Sequence, residues 1–361
     1  MRELTDIVAA FAALSAEGKP SAVATVVGVE GSAYRRPGAR MLIAEDGRTW
    51  GGVSGGCLER DVAARGRGVI AAGRSFLCTY DSADDELISR GVSTGCGGTI
   101  DVLIQPITAN QPGPLKPMTA TADDDRERDV IAVVRAGGAW QSAEGISFDA
   151  ADSSGPVPDA LYLLAHDAAT SSSGRVSVRQ ADAWADLFID RIVPPQRLIL
   201  VGGGPDVVPV LLIAKTLGWR VSVVAAPPAT SVHERFASAD KRFVTLADAP
   251  LAGVPVTTHD AMIVMTHNLA RDAAVLAALP CKPRFLGVLG PRHRSDRLIA
   301  TLPPTHPASD LVSPVGLDIG ARTPEEIALS IMAGVQAALR AATGGPLDVR
   351  TLSRQEPQCA P

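Results

Sequence analysis

The paired prolines Pro194-Pro195, followed closely by the apolar run Leu198 to Val201 and then by Gly202-Gly203-Gly204, constrain this chain more than any other feature. Neither proline can continue a helix or donate a hydrogen bond within a central strand, so the pair ends whatever precedes it. The glycines stand where a buried strand turns into a helix, because a helix-like stretch to Leu217 and a strand-like run from Arg220 to Val224 follow. That order is a βαβ unit. Strand signals at Phe243 to Leu246, Ala261 to Thr266 and Phe285 to Leu289 alternate with helical Leu269 to Leu279 and Ser295 to Leu302, which predicts a Rossmann-type doubly wound parallel sheet. Pro209 fits the first helix of this unit only if it falls in the first turn. A last helix begins at Thr323-Pro324-Glu325-Glu326, which combines an N-cap, a first-position proline and a capping-box glutamate, and runs to about Ala342.

The first half reads as a mixed α/β module. A helix is predicted near residues 3–17, strands at 21–29, 39–44 and 48–53, a helix from Leu58 towards Ala72, and strands at 75–80 and from Thr99 to Ile107. Residues 108–125, rich in Pro, Thr and Asp, read as a linker or exposed loop, and Arg126 to Arg135 as helix-like. At 361 residues the chain is longer than one core usually supports, so the expected division is 1–193, 194–345 and a mobile tail, 346–361.

A net charge of -5 leaves no excess of cations to neutralise a phosphate backbone, which excludes nucleic acid as an expected partner. The acids Glu3, Asp6 and Glu17 in the first helix are foreign to a secretory signal, and no apolar run spans a bilayer, so a cytoplasmic protein free of the membrane is expected. The five cysteines are odd in number, widely spaced and lack a CxxC, against both a disulfide framework and a self-contained zinc site.

Two cysteines stand out. Cys57 follows Gly51-Gly52-Val53-Ser54-Gly55-Gly56 and precedes Leu58-Glu59-Arg60-Asp61, at a predicted helix start where unpaired N–H groups favour a thiolate. Cys96 lies in Gly95-Cys96-Gly97-Gly98 before a strand. Burial as a small hydrophobe is the competing account of each thiol. Arg35 and Arg36 lie in a turn-rich segment and suit either a phosphate or solvent, and Arg292, His293, Arg294 and Arg297 form a basic helix start or a solvated face. His267 falls at the carboxyl edge of a predicted strand, where open α/β sheets bind ligands; a hydrogen-bonded structural histidine is the alternative. Gly202, Gly203 and Gly204 suit either a phosphate or a tight turn. Val207 at the third fingerprint position and Ala225-Ala226 where a ribose acid belongs count against NAD or NADP.

Taken together, these segments resemble the XdhC/CoxI family of accessory proteins that mature xanthine dehydrogenase and related molybdenum hydroxylases. The resemblance is carried by Gly31-Ser32, Arg36-Pro37-Gly38-Ala39-Arg40-Met41, Gly55-Gly56-Cys57-Leu58-Glu59 and Cys96-Gly97-Gly98. In the second half it is carried by Pro194-Pro195, Leu200-Val201-Gly202-Gly203-Gly204, Thr266-His267 with Asp272, Leu289-Gly290, Pro314 to Gly320 and Thr323 to Ala328. It implies a homodimer that binds molybdenum cofactor (molybdopterin) and protects it while a cysteine desulfurase installs its terminal sulfur. The cofactor then passes to an apo-molybdenum hydroxylase of xanthine dehydrogenase or carbon monoxide dehydrogenase type. Under that resemblance Arg36, Gly55, Gly56, Cys57, Cys96, Gly97, Gly98, Gly202, Gly203, Gly204 and His267 are the candidate cofactor contacts, with Cys57 and Cys96 as molybdenum ligands. Such a protein needs no turnover. Departures from the family pattern at Pro205, Ala225-Ala226, Pro291 and Gly334 all fall in the second half. An NAD(P)-dependent oxidoreductase using His267, or a non-catalytic interaction protein that has lost its ligand, are the alternatives.

Overall fold

The run Ala22 to Val27 is buried on both faces of its strand, so it reads as continuously apolar instead of alternating. In the computed structural model, which describes residues 2–81, 97–124, 126–153, 156–171, 173–300, 302–303 and 305–346, this strand is the centre of the first half. Helix α1 (Arg2–Ala16) leads into β1 (Ser21–Glu30), β2 (Arg40–Ala44), β3 (Thr49–Gly51), helix α2 (Glu59–Ala72), β4 (Phe76–Asp81) and β5 (Thr99–Ile107). These strands form an antiparallel sheet in the order β3-β2-β1-β5-β4. Ala22, Ala24 and Val26 on one face pack with Val62 and Val69 of α2, whereas Val23 on the other packs with Ile7, Phe11 and Leu14 of α1.

Residues 108–125 are more than a linker. They contain helix α3 (Leu115–Asp124), whose Leu115 and Met118 are fully buried in the cluster beneath α1. Pro117 is tolerated because it falls in the first turn, where its missing N–H has no partner to lose. The expected helix at Arg126 to Arg135 is instead strand β6 (Arg128–Gly137). Its charged start resembles a helix, but five consecutive apolar residues fill two faces. Val130, Ala132 and Val134 pack towards the first sheet, and Ile131 and Val133 pack into a separate core on the other side. A short 3-10 helix (Gly138–Ala143) follows, then β7 (Ser147–Asp149), α4 (Asp159–Ser171), β8 (Gly174–Gln180) and β9 (Ala183–Ile192), giving a second antiparallel sheet ordered β7-β6-β9-β8. Val27 and Leu103 of the first sheet meet Phe188 of the second, so both sheets belong to one unit, Met1–Pro195.

The second unit, Gln196–Pro361, carries β10 (Arg197–Val201), α5 (Val207–Thr216), β11 (Arg220–Ala225), α6 (Ala229–Arg235), β12 (Lys241–Val244), β13 (Ala261–Val264), α7 (Leu269–Ala277), β14 (Phe285–Val288), α8 (Arg292–Ile299) and α9 (Pro324–Leu339). The strands pair in parallel throughout, in the order β12-β11-β10-β13-β14. The chain moves outward from β10 in one direction and then returns to pair β13 with it in the other. That places a switch point at the carboxyl ends of β10 and β13, and the fold is the Rossmann-type doubly wound sheet the sequence predicts. Pro209 is the third residue of α5 and so falls in its first turn. The capping box of α9 forms as read, with Thr323 and Glu326 exchanging side-chain-to-backbone hydrogen bonds. Ala328, Ile331, Met332 and Val335 of α9 pack into the unit's own core alongside α5, while Leu329 stays exposed. The expected tail lies outside the described residues from position 347 onward.

Candidate functional site

At the switch point, the Gly202 N–H donates to the Val224 carbonyl at 2.9 Å and the Met265 N–H to the Val201 carbonyl at 2.8 Å, so β10 stays paired on both sides up to the turn. A Cβ on Gly202 would lie 2.6 Å from the Met265 carbonyl oxygen, a backbone atom that cannot move aside, so glycine is needed here for strand packing. Beyond the turn a pocket of about 310 Å³ is walled by Gly203, Ala226, Ser231, Arg235, Thr266 and Arg271, among others. No Asp or Glu among the described residues lines it. The Arg235 Nη1 donates to the Gly203 carbonyl, bringing a guanidinium from the end of α6 onto the glycine turn. Arg271 donates through Nη2 to the Thr245 carbonyl and hydroxyl at 3.2 and 3.0 Å, and burial pushes its guanidinium below the ordinary value.

His267 occupies the left-handed region, at φ 57°, and its Nε2 lies 2.8 Å from Oδ2 of Asp206, the N-cap residue of α5. It ties the two turns of the switch point together and is not part of the pocket wall. Its neighbours are structural. Asn268 caps α7 by accepting the Arg271 N–H at 3.0 Å, and Thr266 donates to Asp272, a buried carboxylate that also pairs with Arg294.

In the first unit, the loop 53–58 is braced by the Glu59 carboxylate. Glu59 Oε1 accepts the Val53 and Ser54 N–H groups at 3.2 and 2.8 Å, and its Oε2 accepts the Ser54 hydroxyl at 2.6 Å. Burial opposes ionisation of Glu59, but the Ser54 hydroxyl and the Ser54 and Val53 N–H groups outweigh it and hold the carboxyl below its usual range. The Ser54 oxygen then accepts the Gly56 and Leu58 N–H groups, each at 3.1 Å, and the Cys57 thiol at 3.4 Å. Cys57 is exposed and immediately precedes Leu58, the N-cap residue of α2. Among the described residues the N–H groups of Gly55 and Cys57 have no protein partner. Outside the loop, the Tyr34 ring stands 73% exposed against Gly55, where a Cβ would lie 3.3 Å from its Cγ. Arg35 donates to the Gly52 carbonyl and pairs with Glu3, closing one wall of a pocket of about 630 Å³ that Gly55, Gly56 and Trp50 also line. An exposed thiol, unpaired backbone donors and an exposed ring therefore meet on one glycine-built surface.

Residues 198–335 match the XdhC Rossmann domain, and residues 14–81 match the XdhC and CoxI family. A Bacillus subtilis (strain 168) protein named as a probable xanthine dehydrogenase component is 33% identical over 90% of this chain and 94% of its own length. The chain belongs to the XdhC and CoxI family. An Escherichia coli (strain K12) protein, "Molybdenum cofactor insertion chaperone PaoD", is 24% identical over 88% of this chain and 83% of its own. A crystal structure from Bacillus halodurans described as a xanthine dehydrogenase superposes with a TM-score of 0.70 at 27% identity, covering 93% of this chain and 96% of that one.

The family marks are brought together unequally. Gly31-Ser32 and Gly97-Gly98 meet across the end of the β1–β5 pair, where a Cβ on Gly98 would lie 2.4 Å from the Ser32 carbonyl oxygen. Cys96 itself lies outside the described residues. Arg36 is exposed, with no side-chain partner among the described residues, and it is its neighbour Arg35 that engages the glycine loop. Among the described residues no group of His, Cys, Asp and Glu is arranged to hold a metal ion, and no helix is long and apolar enough to cross a membrane. Sequence reasoning misses Ser54 and Glu59 as builders of the Cys57 loop, and Arg235 and Arg271 as pocket residues. The spacing of Ser54 five residues before Glu59 at a helix start is a signal for the first pair. No local pattern marks the two arginines.

Proposed function

We propose that this protein binds molybdenum cofactor as cargo on the Cys57 loop and hands it to an apo-hydroxylase of the xanthine dehydrogenase type. The observation that carries the reading is the exposed thiol of Cys57 beside the N–H groups of Gly55 and Cys57, which have no partner among the described residues, on a loop braced by Ser54 and Glu59. A soft, polarisable thiolate suits molybdenum, and backbone donors suit the anionic groups around it. The names of the Bacillus subtilis and Escherichia coli relatives point the same way. Cys96 is the second candidate thiol. Protection of the cofactor during sulfuration by a cysteine desulfurase, delivery to a carbon monoxide dehydrogenase-type client, a cytoplasmic location and action as a homodimer complete the proposal.

Mass spectrometry of the protein purified from a molybdenum-replete host tests it directly. Co-purified pterin that disappears in Cys57→Ser supports the reading, and its absence from the wild-type protein expressed without a client hydroxylase rejects it. Light scattering that gives a monomer mass would remove the homodimer. An oxidoreductase using NAD is the less favoured reading, because the Rossmann pocket has Ala226 and two arginines where a ribose acid is required. His267, its candidate proton-transfer residue, is engaged by Asp206.

A further inference from the structure

We infer that the Rossmann pocket of the second unit binds a phosphomonoester dianion, held by Arg235 and Arg271 at the Gly202-Gly203-Gly204 turn. Nothing in this site depends on the cargo reading of the Cys57 loop. Three features of the pocket converge on a dianion of this kind.

The first is charge. Among the described residues two guanidinium groups and no carboxylate line a pocket of about 310 Å³, in a protein whose net charge is -5. Neither arginine has an acidic partner among the described residues. Arg271 is partly buried, and among the described residues its side chain is held by the neutral oxygens of Thr245 and by no carboxylate. A desolvated cation without a counter-ion is costly, and a bound anion removes that cost.

The second is position. In a doubly wound sheet the residue at the end of the second strand decides what meets the ligand's ribose: an acid there accepts the hydroxyls, and an arginine nearby accommodates a phosphate on the sugar. Here β11 ends in Ala225, Ala226 faces the pocket, and Arg235 arrives from the following helix α6, with Ser231 beside it. The acid is absent and the arginine is present. The residues thus reject the diol and accept the ester.

The third is the state of Arg235 itself. Its side chain reaches back 32 positions to the Gly203 carbonyl, so the guanidinium already stands at the turn where a phosphate approaches backbone N–H groups. Arg235 is otherwise exposed, and its remaining donors suit the planar, two-point pairing that phosphate oxygens offer.

The phosphate has two chemical sources, a nucleotide esterified on its ribose or a phosphorylated pterin. Isothermal titration of the full-length protein with adenosine 2′-monophosphate against adenosine, and with the phosphate ester of hydroxymethylpterin against hydroxymethylpterin, distinguishes them. At least one ester is expected to bind roughly ten-fold or more tightly than its parent. Preference within the adenosine pair alone assigns a nucleotide, and preference within the pterin pair alone assigns a pterin. Arg235→Gln, an exposed position where the fold is retained, should abolish the preference, and Ala226→Asp should do so with both arginines kept. Equal binding of ester and parent in both pairs overturns the inference, and so does a preference that survives Arg235→Gln and Arg271→Gln together.

Discussion

Glu59 folds back from the first turn of its helix onto Ser54, taking the Ser54 N–H on one carboxylate oxygen at 2.8 Å and the Ser54 hydroxyl on the other at 2.6 Å. With its hydroxyl hydrogen directed at the Glu59 carboxylate, the Ser54 oxygen accepts the N–H groups of Gly56 and Leu58 and the thiol of Cys57. One ionised side chain therefore braces the segment from Val53 to Leu58 that presents the thiol.

The loop should be acid-sensitive. The hydrogen bonds hold Glu59 below its ordinary value of 4.5, so the stability it contributes is fully present above that value and is lost as pH falls through the depressed folded-state pKa. Thermal unfolding midpoints measured against pH should therefore show the wild type losing its advantage over Glu59→Gln below pH 4.5 and not above. An advantage independent of pH would mean that the carboxylate is not what organises the loop.

Ser54→Ala removes the acceptor shared by three donors while leaving Cys57 in place. Retained pterin should fall roughly ten-fold, as for loss of an outer partner that orients a ligand, with unfolding free energy reduced by about 1–3 kcal/mol. Quantifying pterin by fluorescence after oxidation, beside a urea titration, separates the two effects. Undiminished pterin would detach the loop's geometry from its proposed role.

Gly202 and Gly203 should differ sharply as sites for alanine. At Gly202 the new Cβ meets the Met265 carbonyl at 2.6 Å, whereas at Gly203 the nearest atom is the Ala225 Cβ at 3.4 Å, an ordinary contact. Gly202→Ala is expected to cost about 1–3 kcal/mol by forcing β10 and β13 apart, and Gly203→Ala to be nearly neutral for stability. Denaturant midpoints of the two variants check this, and equal effects would contradict the close approach of the strands.

The capping box of α9 offers a test remote from either site. Thr323→Ala leaves the Glu326 N–H without its side-chain acceptor and should lower stability by about 1 kcal/mol. Hydrogen exchange should quicken first at the amino end of the helix. Global exchange without that local signature would assign the loss to something other than the cap.

The parallel second unit is legible in the sequence because its signals are local. Strand and helix alternate with the right periods, Thr323 to Glu326 announces a helix start, and Pro209 proves harmless once counted from Asp206. Arg126 to Arg135 misleads because its apolar residues serve two cores at once, a fact that exists only after β6 is paired with β7 and β9. Leu115 and Met118 are too few to declare α3 until α1 lies over them.

The same division holds for function. Backbone sterics and hydrophobic period act between neighbours in sequence, so the chain itself dictated the glycine turn, the Cys57 loop and the family they belong to. Which side chains reach those turns was decided by packing across long separations: Arg35 crosses 17 positions to Gly52, Arg235 crosses 32 to Gly203 and Arg271 crosses 26 to Thr245. No local rule encodes such meetings, because they follow from the sheet order and the way each unit closes its core, and only the tertiary structure could bring Arg235 and Arg271 to the place where the ribose acid is missing.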